Sequence, residues 1–327
     1  MSDKRILVVG AAGQIGSELT LALRRLHGEG NVIASDLSDV PAPALAGTGP
    51  YVPLNILDRA ALDRIVQEFR ITSIVNLAAL LSATGEKNPL LCWNVNVGGL
   101  MNTLECAREH RLQQVLCPSS IAAFGPETPH VNTPQETILR PRTMYGVTKV
   151  TGELLCDYYV RRFGVDARGL RYPGIISAET LPGGGTTDYA VEIFYHAIER
   201  GRYTCFLRED TMLPMMYMPD CIKATIDLME APFERLRHHG DYNVAAMSFT
   251  CGQLVTAIRR HVPKLEVAYE PDFRQQIADS WPASIDDSAA RAEWGWAPAF
   301  DLAAMTKDML ERLAARHAAG RLYAAGH

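Results

Sequence analysis

Between Arg5 and Leu26 the chain reads RILVV, then GAAGQIG, then SELTLALRRL, and few sequence patterns restrict a fold so tightly. A short continuous apolar run is the mark of a strand buried on both faces, and apolar residues recurring every three to four positions mark a helix. Strand, glycine turn and helix in that order predict the opening of a dinucleotide-binding unit. Gly10 would make the tight turn, Gly13 would let backbone approach a pyrophosphate, and Gly16 would let the helix pack closely on the sheet. The helix N-terminus beyond them offers free N–H groups to phosphate. A plain strand-to-helix turn is the ordinary alternative for these glycines.

Asn31 to Ser35 (NVIAS) reads as the second strand, and Asp36 closes it twenty residues after Gly16. A carboxylate there accepts hydrogen bonds from a ribose diol and repels a 2′-phosphate, which favours NAD over NADP. A helix cap or a surface charge is its bland alternative. Pro41 to Pro53, with Pro43, Gly47 and Pro50 inside it, reads as a surface loop. Asp58 then caps a helix to about Phe69, and Ser73 to Leu77 makes the next buried strand. Ala78 and Ala79 end that strand with small side chains where a cofactor can lie close. The loop LLSATGEKNP precedes a helix through Trp93, Asn96 and Cys106, and Leu112 to Cys117 is a fourth strand ending in Pro118-Ser119-Ser120. Asp166 to Arg171 is a fifth, followed by Tyr172-Pro173-Gly174.

Five alternations of strand and helix imply an α/β fold with a parallel, right-handed, doubly wound sheet of the Rossmann type, bearing a smaller C-terminal substrate-binding subdomain. The expected division is 1–174 for the NAD-binding domain and 175–327 mainly for the subdomain. It is interleaved, because the segment at about 213–250, and Asp241 to Val244 above all, looks set to return to the first domain. Leu181 to Ala190 (LPGGGTTDYA) is a glycine-rich loop running into a helix, and two further helices fall near 286–293 and 301–317. In open parallel sheets, ligands sit past the carboxyl ends of the strands, so Ser82 and Ser120 are candidates by position alone.

Tyr145-Gly-Val-Thr-Lys149 opens a helix-forming run to Phe163. Positions four apart share a helix face, so phenol and ammonium can meet at one site. A free phenol titrates near ~10, and bringing it to neutrality takes roughly 4 kcal/mol, which a fixed cation nearby can supply. An interfacial Tyr beside a solvated Lys is the alternative without chemistry.

Composition narrows the partners. Charged residues make up 21% of the chain and the net charge is only −5, with no basic tract, so neither nucleic acid nor an anionic membrane surface is expected. No apolar stretch reaches the ~18 residues needed to span a bilayer, and MSDKRILVVGAAG has no signal-peptide core, so a cytoplasmic protein is expected. Seven cysteines, none in a CxxC pair, point to reduced thiols rather than disulfides or a zinc ribbon. No metal is expected, since the Cys and His residues look scattered.

GAAGQIG, Asp36, NLAA at 76–79, PSS at 118–120, YGVTK and RYPG together resemble the extended short-chain dehydrogenase/reductase superfamily over nearly the full length. More narrowly, ALLSATGEKNP, YGVTKVTGELL, LRYPGIIS, PGGGTTDYAVEIF and MYMPDCIKA resemble its L-threonine 3-dehydrogenases. That resemblance implies oxidation of the β-hydroxyl of L-threonine by NAD to 2-amino-3-ketobutyrate. It makes Tyr145 the general base, gives Lys149 the nicotinamide ribose, and puts the Ser120 hydroxyl on the substrate oxygen. It assigns Gln14, Ile15, Leu77, Asn96, Ser119 and Tyr172 to the cofactor, with Pro173, Gly174 and Ile175 as the wall near the nicotinamide. Asn55 stands where many relatives carry Asp beside the adenine, followed by Ile56. Leu80, Ser82, Gly184, Thr186, Thr187 and Trp281 fall at substrate positions, and a homodimer is implied.

From the residues themselves, a zwitterionic substrate needs polar partners, which Ser82, Thr186 and the Gly184 or Gly185 N–H groups can supply. Helix capping is the alternative for Thr186 and Thr187. Two rivals remain. A nucleotide-sugar epimerase or dehydratase shares fold and Tyr/Lys pair, but its relatives carry an Arg that helps hold a diphosphate where this chain has Leu213. A non-catalytic NAD-binding scaffold would not need Ser120, Tyr145 and Lys149 together.

Overall fold

A computed structural model describes residues 4–181 and 183–323. Pro182, within the glycine-rich loop expected from the sequence, lies outside the described residues. Strands β1 (Ile6–Val9), β2 (Val32–Asp36) and β3 (Tyr51–Pro53) alternate with helices α1 (Gln14–His27) and α2 (Arg59–Glu68), and β4 (Ser73–Asn76) follows. Helices α3 (Ser82–Lys87) and α4 (Pro89–Trp93) run through a π-helical turn at Asn94–Gly98 into α5 (Gly99–His110). Then come β5 (Gln114–Leu116), β6 (Ser119–Ser120), α6 (Met144–Phe163), β7 (Ala167–Arg168), β8 (Leu170–Tyr172) and β9 (Gly174–Ile176).

The central sheet is parallel with order β3-β2-β1-β4-β5-β7. Both of its faces are buried, as continuous apolar strands require. Ile6 and Val8 pack with Leu19 and Leu23 of α1 on one face, whereas Leu7 and Val9 pack with Leu62, Ile65 and Cys106 on the other. Strand order reverses between β1 and β4, and the crevice at their carboxyl ends is where a ligand fits.

The later chain adds α7 (Tyr189–Glu199), β10 (Arg202–Cys205), β11 (Met212–Tyr217), α8 (Met218–Glu230), β12 (Tyr242–Asn243) and β13 (Met247–Thr250). It ends with α9 (Cys251–Arg259), β14 (Glu266–Tyr269), α10 (Arg274–Ala278), α11 (Ser288–Trp294) and α12 (Leu302–Ala318). The segment from Asp241 goes back to an earlier strand: β12 pairs in parallel with β8, in a short sheet ordered β12-β8-β6. A third sheet, β13-β11-β9, and a pair, β10-β14, complete the strands.

Three expectations need correction. Pro41 to Pro53 is not wholly a surface loop, because Leu45 is buried in a 3₁₀ turn and Tyr51–Pro53 forms the edge strand β3. Proline tolerates an edge, where its missing N–H has no partner to lose. The stretch after Ala79 is not a loop either, since Ser82–Lys87 is helical. Gly85, which reads as loop punctuation, is required there by packing: a Cβ would stand 2.9 Å from the Cys92 sulfur. Finally, Asp166 to Arg171 is two strands. Gly169 divides them where three backbones converge, and a Cβ there would lie 2.5 Å from the Cys117 carbonyl oxygen and 2.6 Å from that of Gly240.

Candidate active site

The glycine turn meets its geometric requirements. Gly10 has φ of 82°, and the N–H groups of Gly10 and Ala11 both donate to the Ser35 carbonyl, stitching the turn to the end of β2. A Cβ on Gly16 would lie 2.1 Å from the Gly10 carbonyl oxygen, so only glycine lets α1 begin this close to the sheet. Gly13 caps α1 without a side chain, which leaves the first N–H groups of the helix for an anion. Gln14, just inside the helix, has a buried amide nitrogen with no partner in the protein. A cradle that a Cβ would fill, free helix N–H groups and an orphaned donor fit the diphosphate of a dinucleotide. Asp36 stands beside it, its Oδ2 accepting from Ala12 N–H at 2.9 Å.

Thr143 starts α6 by accepting from Gly146 N–H at 3.0 Å, which puts Tyr145 in the first turn and Lys149 one turn on. Gly146 is required by close approach, since a Cβ would lie 2.2 Å from the Ala122 carbonyl oxygen. The Lys149 ammonium lies 5.4 Å from the centre of the Tyr145 ring and donates to the Pro118 carbonyl at 2.7 Å. Ser120, at the end of β6, caps the following 3₁₀ turn by accepting from Ala122 N–H at 3.2 Å. All three side chains line one cavity of about 290 Å³ that also contains Gly10, Gly13, Gln14, Ile15 and Gly16. Leu77, Ala78, Ala79, Ser119, Tyr172, Pro173 and Ile175 line it too.

Ser82, Thr186, Thr187 and Trp281 line the same cavity. Thr186 is 1% exposed and its hydroxyl has no partner, so the capping alternative fails for it and the hydroxyl is available to a ligand. Asp188 joins them and is the one carboxylate among the described lining residues. Burial pushes its carboxyl up to about 6, against the pull of the Gly185 and Gly184 N–H groups. Those two groups donate to its Oδ2 at 2.6 and 2.8 Å. Gly184 and Gly185 therefore spend on Asp188 the N–H groups that the sequence offers to substrate. Asp188 itself was visible in TTDYA only as the acidic start of a helix.

A buried polar network stands behind the cavity. Glu153, two turns past Tyr145 on α6, accepts from Ser119 Oγ at 2.5 Å and pairs twice with Arg171, at 2.9 and 2.8 Å. Burial raises the Glu153 carboxyl above its ordinary range despite Arg171. Arg171 also donates to the Gln135 carbonyl and to Asn243 Oδ1, both at 3.0 Å. The network thus ties together the strand ends that carry Ser120 and Tyr172.

Other expected residues sit elsewhere. Asn96, in the π-helical turn, holds both polar groups of the Leu80 backbone and donates to Thr148 at 3.0 Å. It lines a small second cavity of about 40 Å³ together with Lys149. Leu80 does not line the main cavity, whereas Leu81 does. Gly174 does not line it, and a Cβ there would meet Met215 Sδ at 2.4 Å and Thr187 Cγ2 at 2.7 Å. Asp36, Asn55 and Ile56 lie outside the cavity lining. Ile56 is buried against Gly99, and the exposed Asn55 accepts from Leu57 N–H. Leu213 is fully buried in an apolar cluster and brings no charge to any ligand.

The expectation that no Cys/His cluster exists is also corrected. Asp63, Cys106 and His110 place their ligand atoms within 4.8 Å of one another, between α2 and α5, and none lines the main cavity. Their spacing, Cys-x₃-His on one helix plus an acid from another, offered only half a signal in the sequence. A groove of about 700 Å³ beside α7 holds none of the residues singled out from the sequence. No helix among the described residues is long and apolar enough to cross a membrane.

The model of the NAD dependent epimerase/dehydratase family matches residues 6–245. An uncharacterized epimerase/dehydratase of Staphylococcus saprophyticus is 51% identical over 311 residues, spanning 95% of this chain and 97% of that protein. The crystal structure of L-threonine dehydrogenase from Phytophthora infestans superposes with a TM-score of 0.92 at 52% identity, covering 96% of this chain and 100% of the other. The holo form of the GalE-like L-threonine dehydrogenase from Cupriavidus necator gives 0.93 at 53% identity, with 94% and 99% covered.

Proposed function

Because this chain belongs to the NAD dependent epimerase/dehydratase family, we propose that it oxidises the β-hydroxyl of L-threonine with NAD, giving 2-amino-3-ketobutyrate. One observation carries the reading. The cavity that holds Tyr145, Lys149 and Ser120 also holds one carboxylate among its described lining residues, Asp188, and an unpartnered Thr186 hydroxyl. That lining suits a compact zwitterion. The ammonium of the substrate has Asp188 to pair with, and its carboxylate has the hydroxyls of Ser82 and Thr186. A nucleotide diphosphate would need a cation near Leu213, and the described lining residues include no arginine. Likeness to two L-threonine dehydrogenases at about half identity supports the same choice.

In this reading the glycine cradle and α1 hold the diphosphate and Asp36 holds the adenosine ribose. When bound, NAD supplies the acceptor for the hydrogen leaving Cβ with its electron pair. Tyr145 takes the hydroxyl proton, and Lys149 opposes the negative charge on the phenolate oxygen that must exist for it to do so. The Ser120 hydroxyl donates to the same substrate oxygen and strengthens its bond as charge develops there, so it favours the transition state over bound substrate. On this reading residues 1–174 and the returning segment serve the cofactor and most of 175–327 serves the substrate.

We also propose a cytoplasmic homodimer. Leu90, Leu91 and Trp93 of α4 and Val147, Leu154 and Tyr158 of α6 are exposed on two helices that pack together, and a second copy would cover them. Purified protein mixed with NAD and L-threonine should generate NADH. Turnover of a UDP-sugar with no NADH from threonine would overturn the assignment.

A further inference from the structure

We propose that Asp63, Cys106 and His110 form a binding site for a divalent ion of the zinc class, at the junction of α2 and α5 and separate from the Tyr145 cavity. Cys106 and His110 stand four apart on α5 and share a face, and Asp63 reaches them from α2. All three ligand atoms lie within 4.8 Å of one another, with His110 Nε2 3.0 Å from Asp63 Oδ1. In a tetrahedral zinc site with bonds of ~2.0–2.3 Å, neighbouring ligand atoms stand roughly 3.3–3.8 Å apart, so small side-chain rotations bring these three into place. Sulfur, imidazole nitrogen and carboxylate oxygen are the donors that borderline ions take, and water completes the fourth position.

Access and competition decide whether an ion can enter. The Asp63 and His110 side chains are 28% and 21% exposed, so the approach is from solvent with the fully buried Cys106 sulfur at its floor. The competing cation is Arg59, whose Nε lies 2.9 and 3.0 Å from the two Asp63 oxygens. Arg59 already reaches Glu109 as well, so it keeps a carboxylate partner when Asp63 turns to a metal. Cysteine binds such an ion as the thiolate. Binding therefore breaks the S–H bond, forms a metal–sulfur bond and releases one proton to solvent. The ion rivets α2 to α5, the helix that continues from the turn carrying Asn96.

Cobalt(II) titration of the full-length protein tests this, because a thiolate ligand produces a sulfur-to-cobalt charge-transfer band. Wild type should show that band, saturate at one equivalent per chain, and lose it when zinc is added. Cys106→Ala should abolish the band. His110→Gln, at a partly exposed position that folding tolerates more readily, should weaken binding at least about tenfold. Absence of a thiolate band in wild type, or a band undiminished in His110→Gln, overturns the proposal.

Discussion

Removing both members of the Glu153–Arg171 pair should cost far less than the sum of removing each alone. Glu153 is 6% and Arg171 2% exposed, so either charge left alone is stranded away from water. Breaking a buried pair from one side typically costs about 3–5 kcal/mol. Glu153→Gln belongs at the lower end, about 3 kcal/mol, because Arg171 keeps the Gln135 carbonyl, Asn243 Oδ1 and, at 3.4 Å, Asp241. Arg171→Met belongs near the upper end, since Glu153 then retains only Ser119 while Asn243 and Gln135 lose a donor. For Glu153→Gln with Arg171→Met, no buried charge remains, and the cost should fall well short of the summed single effects, to about 3 kcal/mol for the Gln135 and Asn243 acceptors that lose their donor. Three kcal/mol is roughly a hundredfold in the folding equilibrium, measurable by denaturant titration of the four proteins of the cycle. The sign with pH follows. Burial already raises the Glu153 carboxyl, and deleting Arg171 removes the largest opposing pull. The variant is then most stable below the ordinary carboxylate range and loses stability as pH rises, more steeply than wild type. Additive single effects, or a loss below about 1 kcal/mol for Glu153→Gln, would show that the two charges are not coupled through a dry interior.

Tyr145→Phe should lower kcat by about 10²-fold or more while NADH affinity stays near wild type; an equal loss of NADH binding, read by fluorescence titration, would make Tyr145 structural. Asp36→Asn should raise the ratio of kcat/KM for NADP over NAD by roughly tenfold, about 1.4 kcal/mol of relieved phosphate repulsion, and an unchanged ratio would place the ribose elsewhere. Burial pushes the Glu18 carboxyl up from 4.5 to about 7, against its hydrogen bond from Ser177. Its contribution, roughly 3 kcal/mol, is present below the ordinary carboxylate pKa and lost as pH rises through 7. Glu18→Gln should therefore flatten the fall of Tm across that window, and an unaltered slope would refute the shift. Leu154→Glu, on the exposed face of α6, should turn a dimer into monomers by light scattering, and a wild-type monomer at micromolar concentration would sink the dimer outright.

Much of the fold was legible because the relevant physics is local. RILVV must be buried on both faces, GAAGQIG must turn and pack closely, Asp58 accepts from Ala61 N–H as a cap should, and Tyr145 and Lys149 share a helix face by their spacing alone. Much of the candidate cavity was legible for a related reason, since parallel strands bring their carboxyl ends together and the residues after β1, β4 and β5 line the crevice. Where local cues misled, a distant partner was responsible. Gly85 looked like a loop until Cys92 was beside it, and Gly169 looked like any strand residue until Cys117 and Gly240 closed on it.

Only the tertiary structure decided which polar groups are spent and which are left over. Asp188 consumes the N–H groups of Gly184 and Gly185, Asn96 takes both backbone polar groups of Leu80, Thr186 keeps a free hydroxyl, and Asp63 meets Cys106 and His110 across two helices. Periodicity and spacing record what a residue owes its neighbours in the chain. The partners of a buried polar atom come from segments tens of residues away, and their approach depends on the packing of the whole interior, so no pattern in the linear sequence carries it.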